Sequence, residues 1–413
     1  MVSAARSAVT RIVVAEGITR FGDAITTVAL PLTAVLVLDA SPAGLALIGV
    51  AQAAPILLLS IPAGVWVDRR ARRWPLLIGA DVARAVLLGL VPLALALGAL
   101  SLPLLAAIAL AMSVCGTLFD LAFAGWVPRL LAGDELHRAN ARIELARSAS
   151  AIGGPASGGT LVALLSAPVA LLGDAASFVG SAILVYTIRR QEPERLAAPP
   201  AGPTRRELSA GLRFITAQPL LRAVTATAGL NNFSRSMAMA VAILYLVDRV
   251  HLSALEIGIA FALGNSGFAI GALVARPLTR RIGMGSTMQL GVGLFGPSML
   301  VFAVAPTHWA GPAFTLMLFA NSFGIAIHNV NQVTVRQLLT PDHLRARVAA
   351  VFRLVIFGAL PAGTAVGGLI AQGFGLRAAF IASAVGLVIG SVPYLLVRVR
   401  RLRSVDELQS WVA

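Results

Sequence analysis

The chain has 413 residues, 58% hydrophobic and only 12% charged, with a mean hydropathy of +0.85. A soluble globule carries about 25% charged residues, so that class is excluded. The formal charge of +15 is built on arginine alone, because the sequence holds no lysine, and the single cysteine, Cys115, excludes an intramolecular disulfide and a thiolate metal cluster.

A helix needs about 20 apolar residues to cross roughly 30 Å of hydrocarbon. Twelve stretches qualify: 12–38, 43–66, 75–98, 102–126, 143–165, 167–188, 222–246, 254–275, 284–305, 310–333, 349–371 and 376–398. The fold class expected is an all-α integral membrane protein of twelve transmembrane helices.

The first span carries Glu16, Arg20 and Asp23. It is too long and too charged for a signal h-region, so it reads as a retained helix. Spacings of four and three put these residues on one helix face. At 1.5 Å per residue Asp23 lies about 18 Å beyond Arg11, near mid-bilayer, where ionisable groups are costly and count as functional candidates.

Between the second and third spans the chain reads GVWVDRRARR from Gly64, placing Asp68 beside Arg69, Arg70, Arg72 and Arg73. Asp81 and Arg84 follow at i, i+3 in the third span, as partners for that loop or as a local ion pair. Asp120 lies near the expected cytoplasmic end of the fourth span. The fifth holds Gly154, Pro155, Ala156, Ser157, Gly158 and Gly159, a run that loosens a helix yet permits close packing. Asp174, in the sixth, reads as a hydrated residue.

The rhythm of spans breaks at 191–219, where Pro193, Pro199, Pro200, Gly202 and Pro203 mark a cytosolic linker. Thr204 and Glu207 have capping-box spacing, and Leu208, Leu212 and Ile215 recur on one face, which predicts a short amphipathic helix. The seventh span supplies Asn231, Asn232, Ser234 and Arg235, and the tenth Asn321, His328, Asn329, Asn331 and Gln332. Each is either a substrate contact or a helix–helix hydrogen bond.

The halves repeat. Phe21 and Asp23 correspond to Phe233 and Arg235, Gly64 to Gly271, and Gly158 and Gly159 to Gly367 and Gly368, at a nearly constant offset. Ala275 stands where the second half would need a counterpart of Asp68. The expected division is 1–190 as one six-helix bundle, 191–219 as linker, 220–400 as a pseudo-symmetric second bundle and 401–413 as tail. Outside the spans, all arginines except Arg249 and Arg377 fall on one side, which by the positive-inside rule puts both termini in the cytoplasm. That pattern argues against a nucleic-acid-binding patch.

The basic loop resembles the G-x-x-x-D-R-x-x-R-R signature of the major facilitator superfamily of transporters, and GPASGG from Gly154 resembles its antiporter-associated G-P-x-x-G-G motif. Together with RFGDAITTVALP from Arg20, DVARA from Asp81 and VRQLLTP from Val335, these strings make nearly the whole chain similar to bacterial drug-efflux members, including macrolide and siderophore exporters. The resemblance implies parallel six-helix repeats and export of a small, partly hydrophobic compound in exchange for protons by alternating access. It implies a multi-pass, monomeric protein of the bacterial inner membrane, in which Asp68 caps a neighbouring helix N-terminus and latches one conformation. Asp23 and Arg235 then form a proton-sensitive pair across a central cavity; the alternative is that Arg20 satisfies Asp23 within its own helix. A proton-coupled importer or a facilitator of a metabolite would use the same fold.

No cofactor or metal is expected: without lysine there is no phosphate-binding G-x-x-x-x-G-K-[ST] loop, and His137, His251, His308, His328 and His343 are scattered. A membrane-embedded enzyme would need convergent nucleophile, base or metal ligands, which the pattern does not offer.

Overall fold

The computed structural model of the chain describes residues 2–193, 205–402 and 407. Fourteen α-helices run through them: α1 (Val2–Leu38), α2 (Pro42–Asp68), α3 (Trp74–Ala96), α4 (Leu102–Leu130), α5 (Gly133–Leu164), α6 (Ala167–Ile188), α7 (Arg205–Ala217), α8 (Pro219–Asp248), α9 (Ala254–Ile282), α10 (Met284–Gly293), α11 (Phe295–Val304), α12 (Ala310–Leu339), α13 (Arg345–Phe374) and α14 (Leu376–Leu396). Eleven spans among the described residues are long and apolar enough to cross a bilayer, with α10 and α11 counted as one. The expected fifth span, α5, falls short on composition. Its 32 residues put charges in the first half and Gly and Ser in the second.

The ninth expected span, 284–305, is interrupted at Leu294 between α10 and α11. Pro297 explains the break, because it has no N–H to offer the carbonyl of Gly293 and its ring crowds that turn.

The chain divides into two compact units: residues 1–40, 51–202 and 252–262 in the first, and 41–50, 203–251 and 263–413 in the second. The division departs from the simple halves expected, since the start of α2 belongs to the second unit and the start of α9 to the first. In the first unit α1 packs on α5 and α6, and α3 on α4 and α6. In the second, α8 packs on α13 and α14, and α11 on α12 and α14.

Glycines set the shortest approaches. A side chain on Gly158 would meet the Ile25 carbonyl oxygen of α1 at 3.0 Å, and one on Gly154 would meet that of Phe21 at the same distance. The second unit repeats this: Gly363 lies on Phe233 and Gly367 on Met237, both of α8. Gly159 lies on Ala254 and Gly258 within the first unit, and Gly368 on Pro42 and Ala46 within the second. Where lipid tails are as apolar as leucine, this backbone contact supplies packing that hydrophobicity cannot.

Each unit has an aromatic core. Phe119, Phe123 and Trp126 of α4 are buried with Leu77 in the first. In the second, Tyr245 meets Phe302 and Phe380 edge to face at 5.6 and 5.1 Å, within the range of favourable ring pairs. The amphipathic helix forms as α7. Ile215 is buried against Val348 and Val351 with Leu208 packed alongside, whereas Leu212, expected on the same face, is half exposed. Thr204, the expected cap, lies outside the described residues, as does nearly all of the expected tail.

Candidate functional site

The first unit gathers charges that the sequence distributes over five helices. On α1, Glu16 is fully buried and its Oε1 accepts hydrogen bonds from Arg20 Nε at 2.8 Å and from Arg147 of α5 at 2.7 and 2.9 Å. Arg20 also reaches Asp23 at 3.4 Å and donates to Asp120 of α4. Arg84 of α3 extends the network: it donates to the fully buried Asp81 and stands 3.6 Å from Asp23. Its guanidinium is sandwiched between Phe119 and Phe178, 4.7 and 4.0 Å from the ring centroids. Stacking of this kind stabilises a buried cation.

Asp174 of α6 is fully buried, not hydrated as its place near a helix end suggested. It accepts hydrogen bonds from Thr26 and Ser177, and it fits against α1 only because Gly22 has no side chain to collide with it. Carboxylates outnumber guanidiniums in this cluster. Arg20, Asp23, Asp120 and Arg147 line a cavity of about 700 Å³, with Phe123 and Thr27.

The basic loop forms a second polar cluster in this unit. Asp68 accepts from Arg73 at 2.6 Å. Arg73 is buried, and desolvation, with Arg129 nearby, pulls its guanidinium below the usual arginine range. The side chain crosses α4 at Gly125, where any Cβ would displace it. The cap at the N-terminus of α3 is Glu192, which accepts from the backbone N–H of Arg73 and Trp74 at 2.8–3.0 Å and from Arg129 at 3.1 Å. A carboxylate is favourable there because the first N–H groups of a helix are free. Arg69 is exposed, and Gly64 has only Leu121 within 3.9 Å, so its lack of a side chain is no steric requirement. Asp81 and Arg84 form the local ion pair that was the alternative to partnering this loop, and Arg84 reaches on to Asp23.

The second unit holds a cavity of about 480 Å³ between α8, α12 and α13. Its polar lining is Asn231, Asn232 and Arg235 of α8, His328, Asn329, Gln332 and Arg336 of α12, and Arg353 of α13. Arg336 stacks on Phe352 at 4.3 Å. Two candidates lie elsewhere: Asn321 donates to Ser298 at 3.0 Å, and Asn331 bonds Thr279 at 2.9 Å, so both tie helices together.

The sequence profile of a family described as transmembrane secretion effectors matches residues 3–412. The chain belongs to this family, within the major facilitator superfamily. Among curated relatives, the multidrug efflux pump Tap of Mycolicibacterium fortuitum is 28% identical, with 92% of this chain and 93% of the relative covered. The enterobactin exporter EntS of Escherichia coli O1:K1 / APEC is 33% identical over half of each chain. Among solved structures, a bacterial homologue of the iron transporter ferroportin in its inward-facing state superposes with a TM-score of 0.76 at 18% identity, covering 94% of this chain and 98% of that one. That likeness shows the major facilitator fold. Members of the superfamily are multi-pass membrane transporters of small molecules, not enzymes.

In this transporter the structure brings Glu16, Arg20, Asp23, Asp81, Arg84 and Asp120 into one network, and Asn231, Asn232, Arg235, His328 and Asn329 into one cavity. Sequence reasoning missed Arg147, Glu192, Arg336 and Arg353 as site residues. Arg147 and Arg353 had a signal, a lone arginine within an expected span. Glu192 had only its place after the sixth span, and Arg336 seemed to belong to the loop beyond the tenth.

Proposed function

We propose that this transporter exports a small, partly hydrophobic compound in exchange for protons by alternating access, as a monomer in the bacterial inner membrane with both termini cytoplasmic. Asp23 is the proton-carrying group. The observation that carries this reading is the 3.4 and 3.6 Å spacing of Asp23 from Arg20 and Arg84 at the wall of an open cavity. A proton on Asp23 cancels its attraction to both guanidiniums and leaves them to Asp120, Glu16 and Asp81, so that the charge state of the cavity wall changes without a buried cation losing every partner. Arg235, Asn232 and Asn329 serve the substrate, and Asp68 with Arg73 serves the conformational latch. The names of the relatives, a multidrug efflux pump and a siderophore exporter, support the outward direction.

The test is proton flux in liposomes containing the purified protein, under an imposed pH gradient, on addition of macrolides, tetracyclines, dyes or siderophores. Substrate-dependent proton flux is expected, and Asp23→Asn should reduce it to the level of empty liposomes while the protein still elutes as one species. Substrate movement without proton flux overturns the antiport reading.

A further inference from the structure

The cavity of the second unit carries three guanidiniums and no carboxylate. Arg235, Arg336 and Arg353 line it from three helices, and no Asp or Glu among the described residues comes within ion-pair distance of any of them. Phe352 holds Arg336, and Phe357 lies 5.9 Å from Arg353, so aromatic faces take the place of counter-ions. Arg235 and Arg336 are half-buried and Arg353 is exposed, and guanidiniums gathered around one cavity within a membrane protein are costly without an anion. The deeper wall has further unmet bonding capacity: Gln332 and His328 are 3% and 7% exposed, and the Gln332 amide nitrogen and His328 Nδ1 have no hydrogen-bond partner among the described residues.

We infer that this cavity is an anion-binding site in which Arg235, Arg336 and Arg353 take an acidic group and Phe352 and Phe357 flank an aromatic or other flat apolar body. The inference rests on the transport reading and narrows its substrate class to compounds bearing a carboxylate, sulfonate, phosphate or ionised phenol. Guanidinium forks suit such groups because two N–H donors meet two oxygens at once. A volume of about 480 Å³ holds a compound of drug size with few polar contacts.

The probes are fluorescein, an anion, and a cationic rhodamine ester built on the same ring system. Binding is read by fluorescence anisotropy with the full-length protein in phosphatidylcholine nanodiscs. Fluorescein is expected to bind more tightly than the rhodamine. Arg336→Gln and Arg353→Gln should each weaken fluorescein by about 10- to 100-fold, and Arg353→Lys should recover part of the loss. Equal or tighter rhodamine binding overturns the site, as does unchanged fluorescein affinity in glutamine variants that keep the wild-type unfolding midpoint. If a glutamine variant fails to fold, chloride titration of the wild type decides. Affinity for fluorescein but not rhodamine should fall as chloride rises, and no such fall overturns the site.

Repeating the measurement with phosphatidylglycerol in the nanodisc separates two sources of the anion. Arginine-dependent competition by the lipid assigns the site to a headgroup; its absence assigns the site to a soluble compound. The two readings fail separately. Arginine-dependent fluorescein binding without any transport removes the exporter and leaves the site, whereas rhodamine export without arginine-dependent fluorescein binding removes the site and leaves the exporter.

Discussion

The two units seat their central helices in the same way. Gly154 and Gly158 hold α5 on Phe21 and Ile25 of α1, and Gly363 and Gly367 hold α13 on Phe233 and Met237 of α8. Yet the equivalent helix position is Asp23 in one and Arg235 in the other. Around Asp23 every guanidinium is matched by carboxylates; around Arg235 the guanidiniums have aromatic rings and amides. The two units share a packing frame, while the chemistry of their cavity walls differs. Backbone approach and cavity charge are therefore separable properties of this fold.

The sharpest way to break that comparison is to remove one guanidinium from each unit's polar cluster. Arg84→Ala leaves Asp81 buried without a counter-charge and should cost about 3–5 kcal/mol of stability, read as a lowered unfolding temperature in detergent. Arg336→Ala loses only its stacking on Phe352, about 0.5–1 kcal/mol. Equal losses would mean that the first cluster is no more structurally balanced than the second.

Bulk added to the shared frame should hurt both units alike. Gly158→Leu and Gly367→Leu each force a branched side chain against helix backbone, and each should lower stability by about 1–3 kcal/mol in the same assay. A loss confined to one would show that the frames are not equivalent.

Smaller effects test what the units do not share. Glu192→Ala removes the cap of α3, an effect of about 1 kcal/mol, and also strands Arg129, whereas Glu192→Gln keeps the acceptor and should recover much of the cap. Asn321→Leu breaks one interhelical bond in the second unit. It should cost about 0.6 kcal/mol and leave transport unchanged, checked by vesicle efflux.

The spans were legible because bilayer thickness fixes their length, and the glycine register because packing leaves a repeat. Glu16, Arg20 and Asp23 were legible as one face because the helix itself sets their spacing. The rest depends on contacts that no local pattern encodes. Arg147 meets Glu16 across two helices, Arg84 meets Asp23 from α3, and Glu192 returns to α3 after three more helices. Asn321 and His328 look alike as polar residues in a membrane helix. Only their rotation about α12 sends one to Ser298 and the other to the cavity. Pro297 was visible in the ninth span, but tolerance of proline in membrane helices masked the interruption it causes.

The composition of α5 has a consequence for how the protein is made. A segment with charges in its first half and Gly and Ser in its second gains little from leaving water for lipid. By composition it gains less from the bilayer than α4 and α6 do. The surfaces that accept it are those of α1 and α6, and α6 emerges from the ribosome after it. Insertion of α5 is therefore expected to lean on its contacts with α1 and α6, and the glycines that let α5 approach α1 serve that insertion as well as the final packing.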